Sequence, residues 1–426
     1  MILKIPSMER SWWDKRLSVI NMNKDMMVTL SDIREEMHLV KDRETGKTVY
    51  QPAYFSGMKT LIQGAYAFAS FFEKMHLQQK VYVGNDPSDF YFSLESGEME
   101  YRGEDRFQEI SEEGEVLSSD ADVIGINEYA APELLMSLKE GEPLHFNDET
   151  DRYFISVFLF EYFFHTGSPF EGKMMVNRCF LSPLEKELFR TDHGIFCMDA
   201  GDHENQPVKG IQDKLIRYWK AYPDLLQKMF MRAFMDGATS TFLRPSAVDW
   251  MKVMIHLLMD YKECSCGYHG FSCTLPEQEN GTRLCPKCGK VYYPLTNGMD
   301  TLWLAEGQKL YECQTGRVPF DKEKVTGIVV ENRQRKGLYG IKNLGLAEWR
   351  GMFPDGTIRE IGQNQAMPIW NGMRIRFELG EDWFLRLKST EKLPIPETEE
   401  EVERNDSDET GMNAPDMTDR EDVRYE

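Results

Sequence analysis

One stretch restricts this chain more than any other. From Tyr153 to Phe164 the sequence Tyr-Phe-Ile-Ser-Val-Phe-Leu-Phe-Glu-Tyr-Phe-Phe is broken only by Ser156 and Glu161. A surface helix shows one apolar stripe, whereas here the segment from Asp151 to His165 is apolar on nearly every face. The run is well short of the roughly 20 residues that a membrane span needs. It therefore predicts a helix enclosed at the centre of a folded domain, and no transmembrane helix is expected.

Further helices are predicted around it. Met58, Leu61, Ile62, Ala65, Phe68, Ala69, Phe72 and Met75 recur at helical spacing and give one long amphipathic helix ending near His76. Leu225, Leu226, Met229, Phe230 and Phe234 mark a second. A third opens after Arg244-Pro245-Ser246, with Pro245 near its first turn, and carries Trp250, Met251, Met254 and Leu258. Residues 57–260 are thus expected to be largely helical. Ahead of them, Met37 to Gln51 holds two strand-like runs around a polar turn with Gly46, a hairpin signal. From Leu302 to Leu387 no helical period persists, and β-formers alternate with turns such as Pro354-Asp355-Gly356 and Asn371-Gly372. A separate β-sandwich is expected there.

A length of 426 residues suits two to four domains, and 41% hydrophobic residues provide a substantial core. With 71 acidic against 50 basic side chains, a net charge of −21 repels nucleic-acid phosphates and anionic lipid headgroups. Neither nucleic acid nor membrane is an expected partner. Nearly half of that charge lies beyond Ser389, where 14 acidic and 4 basic residues accompany almost no large apolar ones. Such a segment buries too little apolar area to offset its chain entropy, so 389–426 reads as a disordered acidic tail. The first residues carry no basic stretch followed by an apolar core and a cleavage site, which predicts a cytoplasmic protein.

Five of the eight cysteines fall between Cys264 and Cys288. Cys264-Ser-Cys266-Gly and Cys285-Pro-Lys-Cys288-Gly form two pairs close to a zinc-ribbon pattern, with a glycine after each to permit a tight knuckle. A structural zinc held by Cys264, Cys266, Cys285 and Cys288 is expected, with His269 or Cys273 as alternates in the first pair. Four thiolates leave no open position for catalysis.

Several motifs in residues 1–260 resemble, in order, a divergent bacterial branch of the protein kinase family. Tyr129-Ala-Ala-Pro-Glu-Leu134 is similar to the Ala-Pro-Glu motif that closes a kinase activation segment. Asp151 to Phe160 resembles the buried helix that follows it, and Arg244-Pro-Ser-Ala247 the start of the last helix of the large lobe. The resemblance implies a multidomain α+β architecture. Its parts are a reduced kinase-like small lobe over 1–56, a large lobe over 57–260, a zinc ribbon over 261–293, a sandwich over 299–388, and the tail. It implies that Glu133 pairs with Arg244, bidentate through the planar guanidinium. It also implies that Asp151 accepts backbone N–H groups of the catalytic loop; as a residue near a helix start, Asp151 reads equally as an N-cap.

The chemistry departs from that family. Where it has Tyr-x-Asp-x-x-x-x-Asn, this chain has Tyr82-Val-Gly-Asn-Asp-Pro-Ser-Asp89, so that Gly84 stands at the catalytic Asp and Asp89 at the metal-binding Asn. Gly103, in Tyr101-Arg-Gly-Glu-Asp-Arg-Phe107, stands at the later metal-binding Asp. Phosphoryl transfer needs one carboxylate to orient the acceptor hydroxyl and another to hold magnesium on ATP. Asp86 and Asp105 are the available substitutes only under a shifted register. Lys4, with Glu9 as partner, is the candidate phosphate-pairing lysine, and no glycine-rich loop precedes it. Residues 317–388 weakly resemble a forkhead-associated domain without its Ser-x-x-His signature, although Arg333, Arg335 and Lys336 offer anion contacts. The expected function is a cytoplasmic pseudokinase that scaffolds or regulates through other proteins, phosphoproteins among them. An active Ser/Thr kinase or a zinc-ribbon and β-domain adaptor are the rivals.

Overall fold

A computed structural model describes residues 27–41, 48–378 and 380–388, whose contacts divide the chain into two units, Met1–Thr274 and Leu275–Glu426. The protein is mixed α+β, with several small antiparallel sheets. Lys4, Glu9 and the acidic tail lie outside the described residues.

The first unit opens with strand β1 (Met27–Thr29) and helix α1 (Leu30–Glu35). Thr29 caps α1 reciprocally, its hydroxyl accepting the Asp32 N–H while the Asp32 carboxylate takes the Thr29 N–H at 2.9 Å. The hairpin follows as β2 (Met37–Lys41) against β3 (Thr48–Pro52), with Leu39 opposite Tyr50. Helix α2 (Met58–Leu77) buries Leu61, Ile62, Ala65, Phe68, Ala69 and Phe72 along one face.

Residues 80–118, inside the stretch expected to be largely helical, instead form short strands. β4 (Lys80–Tyr82), β5 (Phe90–Ser93), β6 (Met99–Tyr101), β7 (Phe107–Glu109) and β8 (Val116–Ser118) precede helix α3 (Pro132–Glu140) and β9 (Leu144–Phe146). β5 pairs with β1 and β6, β4 with β7, and β8 with β9. Phe90 and Phe92 point inward while Tyr91 between them is less buried, a two-residue period that suits a strand.

Helix α4 (Asp148–Phe164) is the all-round apolar run, and every residue from Tyr153 to Phe164 is buried. Its cap is Asn147, whose side chain accepts the Glu149 and Thr150 N–H groups, so Asp151 lies within the helix and is not the cap. Phe158 stacks on Phe68 of α2 at 4.0 Å between ring centroids. The helices approach closely because position 64 is glycine: a Cβ there overlaps the Tyr162 hydroxyl and lies 3.3 Å from the Phe92 ring. Gly64→Ala is therefore expected to cost about 1–3 kcal/mol through overpacking, more than the gain of up to ~1 kcal/mol in helix propensity. Urea unfolding measures the balance, and a stabilised variant would mean that the α2–α4 contact is slack.

Helices α5 (Pro183–His193), α6 (Asp213–Trp219), α7 (Asp224–Met231) and α8 (Ala247–Asp260) surround the core. α7 runs into a π turn at Arg232–Asp236, which brings Phe230 and Phe234 to 5.4 and 5.8 Å from Phe160. Ser246 caps α8, so Pro245 precedes the cap and does not occupy the first turn. Strands β10 (Tyr261–Glu263) and β11 (His269–Phe271) form a short hairpin after it.

Among its described residues the second unit consists of strands apart from one helical turn, Glu312–Thr315. They are β12 (Arg283–Leu284), β13 (Val291–Thr296), β14 (Thr301–Leu304), β15 (Lys309–Tyr311), β16 (Val325–Glu331) and β17 (Tyr339–Asn343), then β18 (Trp349–Met352), β19 (Ile358–Ile361), β20 (Ala366–Pro368), β21 (Arg374–Arg376) and β22 (Asp382–Phe384). One sheet runs β12-β13-β22-β21-β18-β19 with β14 on β13; the other runs β15-β16-β17-β20. Leu295, Trp349 and Ile375 of the first sheet share one buried cluster with Leu310, Val329 and Ile341 of the second. Two antiparallel sheets around one core make a sandwich. Its first sheet begins earlier than the expected boundary at 299, because β13 runs on through residue 293 and places Leu295 in the core.

Candidate functional site

The segment 82–107 folds back on itself, and the Val83 N–H bonds the Arg106 carbonyl at 2.7 Å, so that residues distant in sequence become neighbours. Asp151 of α4 anchors it, both carboxylate oxygens accepting the Tyr82 N–H at 3.2 and 3.1 Å. At Gly84 no side chain projects, and a Cβ there meets the Arg106 Cδ and Nη1 at 3.3 Å. The Arg106 guanidinium also reaches Asp89 at 3.5 Å and Asp86 at 3.9 Å. A cation thus lies over the position where the family resemblance expects a general base.

Asp89 is buried and accepts the Tyr82 hydroxyl proton at 2.6 Å. Burial raises its carboxyl above the ordinary range, although Tyr82 and Arg106 pull the other way. Gly103 packs against Asp89 and Tyr101, since a Cβ there overlaps both the Asp89 carboxylate and the Tyr101 hydroxyl. A carboxylate cannot be carried at position 103 without displacing them. Of the substitutes, Asp86 caps the short turn Pro87–Asp89, accepting from the Ser88 N–H at 2.9 Å and hydroxyl at 2.7 Å. Asp105 is exposed with φ +39°. A hard divalent cation takes its ligands as an octahedron or larger shell of oxygens. Here the buried carboxylate of Asp89 is already engaged by a phenol and a guanidinium.

Glu133 and Arg244 meet in two parallel bonds, Nη1 to Oε1 at 2.6 Å and Nη2 to Oε2 at 2.9 Å. Glu133 sits in the first turn of α3 behind Pro132, where a carboxylate also suits the helix dipole. Arg244 donates further to the Glu149 and Gly237 carbonyls at 2.9 and 3.2 Å, and its guanidinium lies 5.1 Å from the Tyr153 ring centroid. The buried partner is the arginine: its side chain is 3% exposed and that of Glu133 is 36%.

The four cysteines Cys264, Cys266, Cys285 and Cys288 bring their sulfurs within 4.8 Å of one another. A tetrahedral ion with bonds of about 2.3 Å sets sulfurs about 3.8 Å apart, so this donor set can hold one metal ion, and all-thiolate donors suit zinc. Each knuckle turns as the glycines require: the Gly267 N–H bonds the Cys264 carbonyl at 2.8 Å and the Gly289 N–H the Cys285 carbonyl at 2.9 Å, with φ +81° and +75°. His269 and Cys273 are not in the set; His269 belongs to β11 and Cys273 to the turn after it. On β12, between the two pairs, Arg283 lies 4.4 Å over the Trp303 ring of β14.

Arg333, Arg335 and Lys336 share the loop between β16 and β17, shaped by the Asn332 side chain accepting the Gln334 and Arg335 N–H groups. Arg333 and Lys336 are exposed there.

The sequence pointed to Gly84, Asp89 and Gly103 but not to Arg106 or His76, which complete their surroundings. Arg106 becomes visible only once β4 and β7 pair. His76 carries no signal beyond its place at the end of an amphipathic helix. Among the described residues no helix is long and apolar enough to cross a membrane. No family model matches the chain, and no curated protein gives a significant sequence match.

Proposed function

We propose that the chain is a protein kinase-like regulator that acts through other proteins and does not transfer phosphate, with a structural zinc in its cysteine segment. The observation that carries this reading is the replacement of both expected catalytic carboxylates by glycines walled in by Arg106, Tyr101 and Asp89. The bidentate Glu133–Arg244 pair and the Asp151 acceptor on the Tyr82 N–H support the kinase-like part.

Each loss removes a different contribution. Without a carboxylate at position 84 nothing takes the proton of an acceptor hydroxyl, a loss of roughly 10²–10⁴ in rate. Without one at 103 the charge on the transferring phosphoryl group goes unneutralised by a bound metal. Arg106 beside Gly84 would, moreover, hold any carboxylate placed there as an ion pair and weaken it as a base.

Incubation with labelled ATP and magnesium should give no phosphorylation of the chain itself or of a general protein substrate. Transfer abolished by Asp86→Ala or Asp105→Ala would overturn the proposal and make the protein a divergent kinase.

A further inference from the structure

His76 ends the amphipathic face of α2, and both of its ring nitrogens meet carboxylates of α4. Nε2 is 2.8 Å from Asp151 Oδ2, and Nδ1 is 3.2 Å from Asp148 Oδ1. A neutral imidazole has a single N–H and can donate to only one of them; the imidazolium donates to both. The ring is largely enclosed at 15% exposure, and Asp151 is buried at 2%. Asp151 also receives the Tyr82 N–H, at the end of β4 where the loop carrying Gly84 and Asp89 departs. One proton on His76 thus joins the last turn of α2, the first turns of α4 and the root of that loop.

We propose that His76 is a proton-dependent strut: as the imidazolium it holds Asp151 under the Tyr82 amide, and its deprotonation frees the loop that starts there. The inference stands on this geometry and does not depend on the kinase-like reading.

The charged groups that face the ring are Asp148 and Asp151 from α4 and Glu73 from α2 itself, while β4 contributes the Tyr82 amide. Arg152 also engages Asp148, one turn along α4. Burial alone lowers the ring's hold on its proton, but Asp151, Asp148 and Glu73 outweigh it and keep His76 above its ordinary 6.5. Burial likewise pushes Asp151 up to about 6. The sign follows from linkage. A histidine that binds its proton more tightly in the folded chain contributes stability fully below pH 6.5, and that stability is lost as pH rises through its raised folded value. Asp151 ionises near 6, so the charged pair exists between there and the His76 value.

Amide hydrogen exchange of the full chain tests this, read on a peptide that begins at or before Gln79 and so retains the Tyr82 amide, between pH 6 and 9, after correction for the intrinsic rate. Protection in the wild type should fall by up to about tenfold per pH unit from pH 6.5 upward and level off above the raised His76 value. His76→Gln keeps an amide donor without the charge and should show low protection independent of pH. Flat protection in the wild type through pH 9, or the same decline in His76→Gln, would overturn the proposal. Should that variant not fold, ring nitrogen shifts of the wild type decide: a His76 that is mostly doubly protonated at pH 6.5, where an ordinary imidazole is half protonated, supports the strut, and a mostly neutral ring there sinks it.

Discussion

Purified protein is expected to carry about one zinc per chain, and replacing Cys285 and Cys288 with serine should remove it and unfold the segment between the knuckles. The reason is the donor set: four sulfurs within 4.8 Å of one another, on two turns closed by left-handed glycines. Structural zinc sites bind with apparent free energies of about 10–16 kcal/mol at neutral pH, and that energy is folding energy for the segment that closes around the metal. Metal analysis and thermal melting read the two halves of the prediction. Zinc content and melting unchanged in the double variant would show that the cysteines hold no metal.

Arg244→Ala is expected to lower stability by about 3 kcal/mol or more, since hydrogen bonds to a charged group are worth about 1.5–3 kcal/mol and the packing of an enclosed side chain is lost with them. It removes two bonds to Glu133, two to backbone carbonyls and the contact with the Tyr153 ring. Glu133→Ala should cost less, about 1.5–3 kcal/mol for hydrogen bonds to a charged group. The guanidinium it leaves behind keeps the Glu149 and Gly237 carbonyls as acceptors. The enclosed partner of the pair is the arginine, and the Glu133 carboxylate keeps access to water. The double variant should be less than additive by about 0.5–3 kcal/mol. Strict additivity in chemical denaturation would show that the pair contributes no coupling.

How much of this could be read from the chain alone varies with the range of the interactions involved. α4 was legible because a run apolar on every face has one physical solution, and α2 because its stripe repeats over several turns. The cysteine knuckles were legible because thiol spacing and the following glycines are local. The strands between 80 and 118 were not: each is three or four residues long, too short for a period to emerge. Their partners, moreover, lie far along the chain, as with β8 and β9. The start of α4 was read three residues late because Asp148, Glu149 and Thr150 are polar, although Asn147 followed by a helix is a capping signal. β13 is hard to see for a related reason, since Pro294 interrupts a run of six residues. Arg106, finally, gains its meaning only from what lies across the fold.

The stacking of Arg283 on Trp303 gives the cysteine segment an optical handle. Arg283 stands two residues before Cys285, and its guanidinium covers an indole that is only 9% exposed. A cation held over the ring perturbs its emission, and release of the knuckle would uncover the ring to water. Fluorescence should therefore follow metal loss in real time. With eight tryptophans in the chain the change is partial, and the difference between wild type and Trp303→Phe isolates it.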